Sequence, residues 1–201
     1  MKTLLIATTN THKVAEIAAK LRELGVTDLS LLDLTVCPGY VAPEETGATF
    51  AENARIKAVT AAASSGQIAL ADDSGLMVAA LSGAPGIYSA RYAGAGHDDM
   101  ANNAKLLAEL ADVPAERRQA VFCCAIVLAR PNGQSWLAEG RVEGLIRSEP
   151  HGNNGFGYDP LFYLPQLGCT MAELTPEQKN SVSHRALALE KAVPLIRNLL
   201  P

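Results

Sequence analysis

Residues 3–14 read Thr3-Leu4-Leu5-Ile6-Ala7-Thr8-Thr9-Asn10-Thr11-His12-Lys13-Val14. A short apolar run passes into six polar residues, and then the spacing changes. Val14, Ile17, Leu21 and Leu24 recur at steps of three and four, and Gly25 follows them. The run predicts a buried strand over 3–8, and the spacing predicts a helix over 11–24 that ends at the glycine. An opening strand, turn and helix is the first half of an α/β unit.

The rest of the chain extends the pattern. An Ala-rich stretch from Thr49 to Ser64 has strong helix propensity and stops at Ser65-Gly66. Residues 29–42 read as a second strand or loop, and 67–71 as a short apolar strand running into Asp72-Asp73-Ser74-Gly75. Residues 82–97 are rich in Gly and Ala and read as a structured loop. Asp98 or Asp99 caps a helix to about Leu110, with Met100, Leu106, Leu107 and Leu110 inward. Strand-like runs at 119–130 and 134–147 flank Pro131-Asn132-Gly133, a hairpin signal. A short strand follows at 160–164. Thr175-Pro176-Glu177-Gln178 fits a capping box with Pro at the first helical position. A last helix starts near Ser183, and Pro194 is expected to kink or interrupt it. Alternating strands and helices followed by a hairpin predict an α/β fold with a mixed sheet.

Composition bounds the function. The chain has 201 residues, enough for one sizeable core and short for two independent domains. Hydrophobic residues make up 48% and charged residues 19%, which excludes a disordered chain. No uncharged apolar stretch reaches the roughly 18 residues of a membrane span. The start of the chain is too short in apolar residues for a signal peptide. Seventeen Lys and Arg against 21 Asp and Glu give a net charge of −4, so no global field attracts nucleic acid. Cys37, Cys123, Cys124 and Cys169 form no Cys-x-x-Cys pair, which fits reduced thiols in the cytoplasm.

Five segments carry candidate chemistry. Thr8 to Lys13 lie where a strand meets a helix N-terminus, so backbone N–H groups, hydroxyls and the Lys13 charge suit phosphate. It is not a Walker A loop, and an ordinary polar helix cap is the competing reading. Asp72 and Asp73 are adjacent at the end of a strand, where neighbours point to opposite faces, so one can face a site while the other is structural; an acidic turn is the competing reading. Their hard oxygens suit Mg²⁺ bound together with phosphates. Glu44 and Glu45 offer a second metal contact, and Asn53 and Lys57 share a helix face four residues apart; a solvated helix start with favourably placed acids is the competing reading. Gly152 to Pro160 contains Phe156-Gly157-Tyr158-Asp159, where rings beside a carboxylate suit a base. Lys179 and Ser183-His184-Arg185 lie at a helix start. No Gly-x-Ser-x-Gly elbow is present, which argues against acyl transfer.

In order, Thr8–Lys13, Glu44–Lys57, Ala71–Leu76, Gly83–Tyr92, Phe156–Phe162 and Lys179–Arg185 resemble the inosine/xanthosine triphosphate pyrophosphatase (Ham1-like) family over nearly the whole chain. The resemblance implies an elongated mixed sheet flanked by helices, with two lobes and a central cleft. It implies one domain over residues 1–201. It further implies hydrolysis of ITP, dITP and XTP to the monophosphate and pyrophosphate with Mg²⁺, by a cytoplasmic homodimer that binds neither nucleic acid nor membrane. Carried over by position, Asp73 is the catalytic residue and a metal ligand, with Glu44 as the further ligand and Glu45 its rival. Thr8, Thr9, Asn10, Thr11, His12 and Lys13 contact phosphates. Ser74, Phe156, Gly157, Tyr158, Asp159, Lys179, His184 and Arg185 bind the nucleotide, and Lys57, Asp72 and Arg91 are further site residues. Thr9 departs from the glycine that many members carry. Two alternatives are a Maf-type pyrimidine nucleotide pyrophosphatase and a nucleotide sensor without turnover.

Overall fold

The opening strand and helix form as expected. β1 (Lys2–Ile6) leads to α1 (Thr11–Glu23), and the Asn10 side chain caps the helix by accepting from the His12 and Lys13 N–H groups. The structure is a computed structural model that describes residues 2–200. β2 (Leu29–Leu32) pairs with β1 in parallel, and β3 (Ala69–Val78) pairs in parallel with the other edge of β1. α2 (Phe50–Ser65) lies between β2 and β3 in sequence and opens with a reciprocal capping box of Thr49 and Glu52. α3 (Asp99–Glu109), capped by Asp98, precedes β4 (Gln119–Ala129) and β5 (Ser135–Ile146). These two strands are sheet neighbours, and across their turn the Arg130 N–H donates to the Gln134 carbonyl. β6 (Phe162–Leu164) and β7 (Cys169–Thr170) add antiparallel pairings, giving the order β2-β1-β3-β4-β5-β6-β7. The chain continues into α4 (Pro176–Val182), which carries the expected capping box, and α5 (His184–Leu199).

The chain folds as two compact units, and their boundaries fall within β3, β4 and β5. One unit comprises the stretch up to Asp73, residues 124–140 and the chain from His184. Its strands alternate strictly. Leu4, Ile6, Leu70, Ile126 and Leu128 face a core with Ile17 and Leu21 of α1 and Leu189, Ala192 and Ile196 of α5. Leu5, Ala7, Ala69, Ala71, Ala125 and Val127 face a second core with Ala54, Ala58, Ala61 and Ala62 of α2. Small residues on both sides let α2 lie close to the sheet, with the dispersion gain of dense packing. The other unit, residues 74–123 and 141–183, packs Leu76, Val78, Phe122, Ile146 and Phe162 with Leu106 and Leu110 of α3 and with Tyr158, Leu161 and Met171.

Four expectations change. The strand expected over 67–71 runs on to Val78, through both aspartates, although Asp and Gly favour turns. The segment 82–97 is not irregular throughout, since Gly86–Arg91 forms a 3₁₀ helix. Met100 is 83% exposed rather than inward. The buried stripe of α3 runs through Asn102 and Leu106, and a residue two before Asn102 lies about 200° around the helix from it. Pro194 does not interrupt α5. Ile196 and Leu199 beyond it are buried in the same core as Leu189 and Ala192, which offsets the one hydrogen bond that proline removes.

Candidate active site

The strand period decides which aspartate does what. Leu70 faces the α1–α5 core, and Ala69 and Ala71 face α2. Two residues on, Asp72 falls on the α1–α5 side and Asp73 on the α2 side. Asp72 is 1% exposed. Its Oδ2 accepts from Arg185 Nε at 3.2 Å and Nη2 at 2.9 Å, and Lys13 Nζ lies 3.0 Å away. Arg185, equally buried, donates through Nη1 to Glu16 at 2.5 Å. Burial alone would raise the Asp72 carboxyl, but the charges of Lys13, Arg185 and Lys57 outweigh it and hold it below the ordinary carboxylate range. Cys124 Sγ lies 4.0 Å from the same oxygen, and burial with this negative neighbour pushes its thiol up to about 12. Asp72 is thus a fixed anion tying α1 to the start of α5.

Asp73 has a different environment. Lys57 Nζ donates to its Oδ1 at 2.7 Å and to Glu45 Oε1 at 3.0 Å. Its Oδ2 is buried with no hydrogen-bond partner among the described residues. Burial pushes the Asp73 carboxyl above its ordinary value, only partly offset by Lys57, so it is a stronger base than a solvated aspartate. Lys57 shifts upward, since the charges of Asp73, Asp72 and Glu45 outweigh its burial. Glu45, half-buried, stands beside Asp73 through Lys57, whereas Glu44 is exposed. Among the described residues no three His, Cys, Asp or Glu side chains cluster as a complete metal cage. Two carboxylates completed by phosphate oxygens and water are the donor set that suits Mg²⁺, and the orphaned Asp73 oxygen fits such an ion.

The loop at residues 8–13 is an exposed cap. Asn10 N–H donates to Thr8 Oγ1 at 3.2 Å, and Asn10 Oδ1 takes the N–H groups of His12 and Lys13 at 3.0 and 3.2 Å. Two donors expected to face phosphate are therefore already used. Thr9 and Thr11 stay exposed, and Lys13 is held on Asp72. His184 is buried at the first position of α5.

In the second unit Ser74, half-buried, follows Asp73 along β3. The loop 155–159 is held by its own members. Asp159 Oδ2 accepts the Phe156 N–H at 2.9 Å and Lys179 Nζ at 2.6 Å, and Lys179 Nζ stands 4.7 Å from the Phe156 ring centre. Gly155 has φ +76°, and a Cβ there would lie 2.1 Å from Asp159 Oδ2, so glycine alone fits. The loop is also pinned from α3. Gly157 N–H donates to Asp99 Oδ2 at 2.6 Å, and Asn103 Nδ2 donates to the Gly157 carbonyl at 2.9 Å. Tyr158 is buried, with its hydroxyl on the Ser89 carbonyl at 2.8 Å. The Phe156 ring and the Lys179–Asp159 pair thus form one fixed cluster on this loop.

Asp99 and Asn103 were not expected at this loop. The only signal in the sequence is their spacing of four, which places both on one face of a helix. Glu16 was likewise missed.

Compared with known proteins, residues 4–195 match the Ham1 family. The chain is 52% identical over 196 residues to the dITP/XTP pyrophosphatase of Desulforamulus reducens, covering 98% of this chain and 96% of that protein. The structure of a HAM1 protein from Coxiella burnetii superposes with a TM-score of 0.89 at 42% identity, covering 98% of this chain and 100% of that one. A nucleoside-triphosphatase, named dITP/XTP pyrophosphatase, from Mycobacterium abscessus gives 0.77 at 46% identity, covering 96% and 99%.

Proposed function

Because the chain belongs to the Ham1 family, we propose that Asp73, Lys57 and Glu45 form the reacting centre of a dITP/XTP pyrophosphatase. The protein is a nucleoside triphosphate pyrophosphatase, a hydrolase of non-standard purine nucleoside triphosphates. The pyrimidine-specific and non-catalytic readings are not favoured by relatives bearing this name. The family match runs through both units, which supports reading the chain as a single catalytic domain.

The observation that carries the reading is the geometry of Asp73: one oxygen is fixed by Lys57, and the other is buried and unpaired. Asp73 takes the proton of the water that attacks between the α and β phosphorus atoms. Lys57 orients Asp73 and adds positive charge where the phosphates develop negative charge. Glu45 and Asp73 would hold a divalent ion, with Mg²⁺ the ion in this reading and exposed Glu44 the lesser candidate. When bound, the ion supplies charge neutralisation on the phosphates. Thr8, Thr9, Asn10, Thr11, His12 and Lys13 receive the triphosphate, Lys13 from a position fixed by Asp72.

Base recognition belongs to Ser74, Phe156 through Asp159, Lys179, His184 and Arg185. The Phe156 face stacks a purine, and a fixed donor such as Lys179 favours the 6-oxo group. A 6-amino group offers Lys179 no acceptor and forgoes that added hydrogen bond, at about 1–3 kcal/mol. Arg185, already held on Asp72 and Glu16, acts from one fixed position. The same reading includes a homodimer and a cytoplasmic location. Among the described residues no helix is long and apolar enough to cross a membrane. The test is a nucleotide panel assayed separately for pyrophosphate and orthophosphate, with and without Mg²⁺. Pyrophosphate from dITP and XTP is expected; orthophosphate release or a pyrimidine preference would overturn the reading.

A further inference from the structure

We propose that Asn53 is a positioning residue for the metal site: its side-chain carbonyl fixes the backbone at Gly47 and so aims Glu45 at Lys57 and Asp73. The proposal rests on the reading that Glu45 and Asp73 hold the divalent ion. The first two turns of α2 hold the acidic loop at several points. Glu52 Oε2 accepts the N–H groups of Ala48 at 2.7 Å and Thr49 at 3.1 Å. Asn53 Oδ1 accepts the Gly47 N–H at 2.8 Å. One turn on, Lys57 reaches Glu45, two residues before Gly47. Asn53 and Lys57 therefore hold the same loop from one helix face, the first through the backbone and the second through the carboxylate.

Two features separate this contact from ordinary capping. Asn53 is completely buried, and its Nδ2 has no partner among the described residues. A buried unpaired amide is a cost that an apolar side chain of the same shape would avoid. The residue is explained by what its carbonyl does. Gly47 is matched to it, because a Cβ there would lie 2.6 Å from Glu52 Cβ, 2.7 Å from Asn53 Oδ1 and 2.9 Å from Asn53 N. No larger residue brings its N–H this close to the helix.

The test is Mn²⁺ titration of the full chain without nucleotide, by calorimetry or electron paramagnetic resonance, beside the melting temperature. Asn53→Leu is expected to weaken Mn²⁺ binding about tenfold, in line with other residues that orient metal ligands, while the melting temperature stays level or rises. Asn53→Asp keeps the acceptor and is expected to retain Mn²⁺ binding. Gly47→Ala breaks the same contact from the other side and is expected to reproduce the Asn53→Leu defect; it carries the test if Asn53→Leu does not fold. Glu45→Gln is titrated in parallel. If it weakens Mn²⁺ binding while Asn53→Leu and Gly47→Ala bind within twofold of the parent, the positioning role is overturned. If Glu45→Gln itself binds Mn²⁺ like the parent, the metal reading falls and takes the inference with it.

Discussion

Replacing Asp72 by Asn should unfold the protein far more readily than the same change one residue later. Asp72 Oδ2 compensates Arg185 through Nε and Nη2 and also holds Lys13. Arg185 and Asp72 side chains are 1% and 0% exposed, whereas Lys13 is 15% exposed and can turn to water. The lesion therefore concentrates on Arg185. Breaking a buried pair by removing one partner costs about 3–5 kcal/mol. Glu16 keeps its contact with Arg185 Nη1, which places the loss near the lower end, about 3 kcal/mol. For a chain of this size that lowers Tm by about 6–12 °C. Calorimetry and urea unfolding measure it. Adding Arg185→Met to Asp72→Asn removes the stranded charge and should recover at least half of the loss. Asp73→Asn removes a carboxyl whose charged form burial already disfavours, and its Tm should stay close to the parent. An Asp72→Asn Tm unchanged from the parent, or a larger drop for Asp73→Asn, would refute the assignment of the two faces.

Two further outcomes follow, one from the Asp72 contacts and one from the hold of α3 on the 155–159 loop. The Asp72 carboxyl is depressed in the fold, so its stabilisation is complete above the unfolded value of about 3.9 and is lost as pH falls through the folded value. The Tm gap between the parent and Asp72→Asn should be flat from neutral pH to about 5 and shrink only below about 4, as thermal melts across that range will report. Asn103→Leu removes the donor to the Gly157 carbonyl, a neutral hydrogen bond worth about 1 kcal/mol, and should raise the dITP KM about threefold to tenfold with kcat little changed. Steady-state kinetics check this, and an unchanged KM would show that α3 does not set the loop.

Much of the fold was legible in local pattern. The 3–8 run, the helix spacing through Leu24, the Pro131-Asn132-Gly133 turn and the Thr175 capping box each describe a few neighbouring residues, and each formed. The opposite facing of Asp72 and Asp73 followed from the period of a strand alone. What stayed hidden depends on partners distant in sequence. β3 continues through two aspartates because Arg185, Lys13 and Lys57 meet their charges, the first from 113 residues away. Glu44 and Glu45 are indistinguishable as neighbours, and only the reach of Lys57 separates them. Asp99 and Asn103 read as an ordinary helix start until Gly157, more than 50 residues on, is found hydrogen-bonded to both. α5 continues past Pro194 because the core on both sides of it holds the helix together.

On the proposed mechanism Asp73, and not its neighbour, accepts the proton of the attacking water. The most direct test is pyrophosphate release from dITP by purified Asp73→Asn at saturating Mg²⁺, with folding confirmed by its melting curve. Release should fall by at least about a hundredfold, the lower range for loss of a general base, while the variant stays folded. A folded Asp73→Asn that releases pyrophosphate at the parent rate would contradict the account.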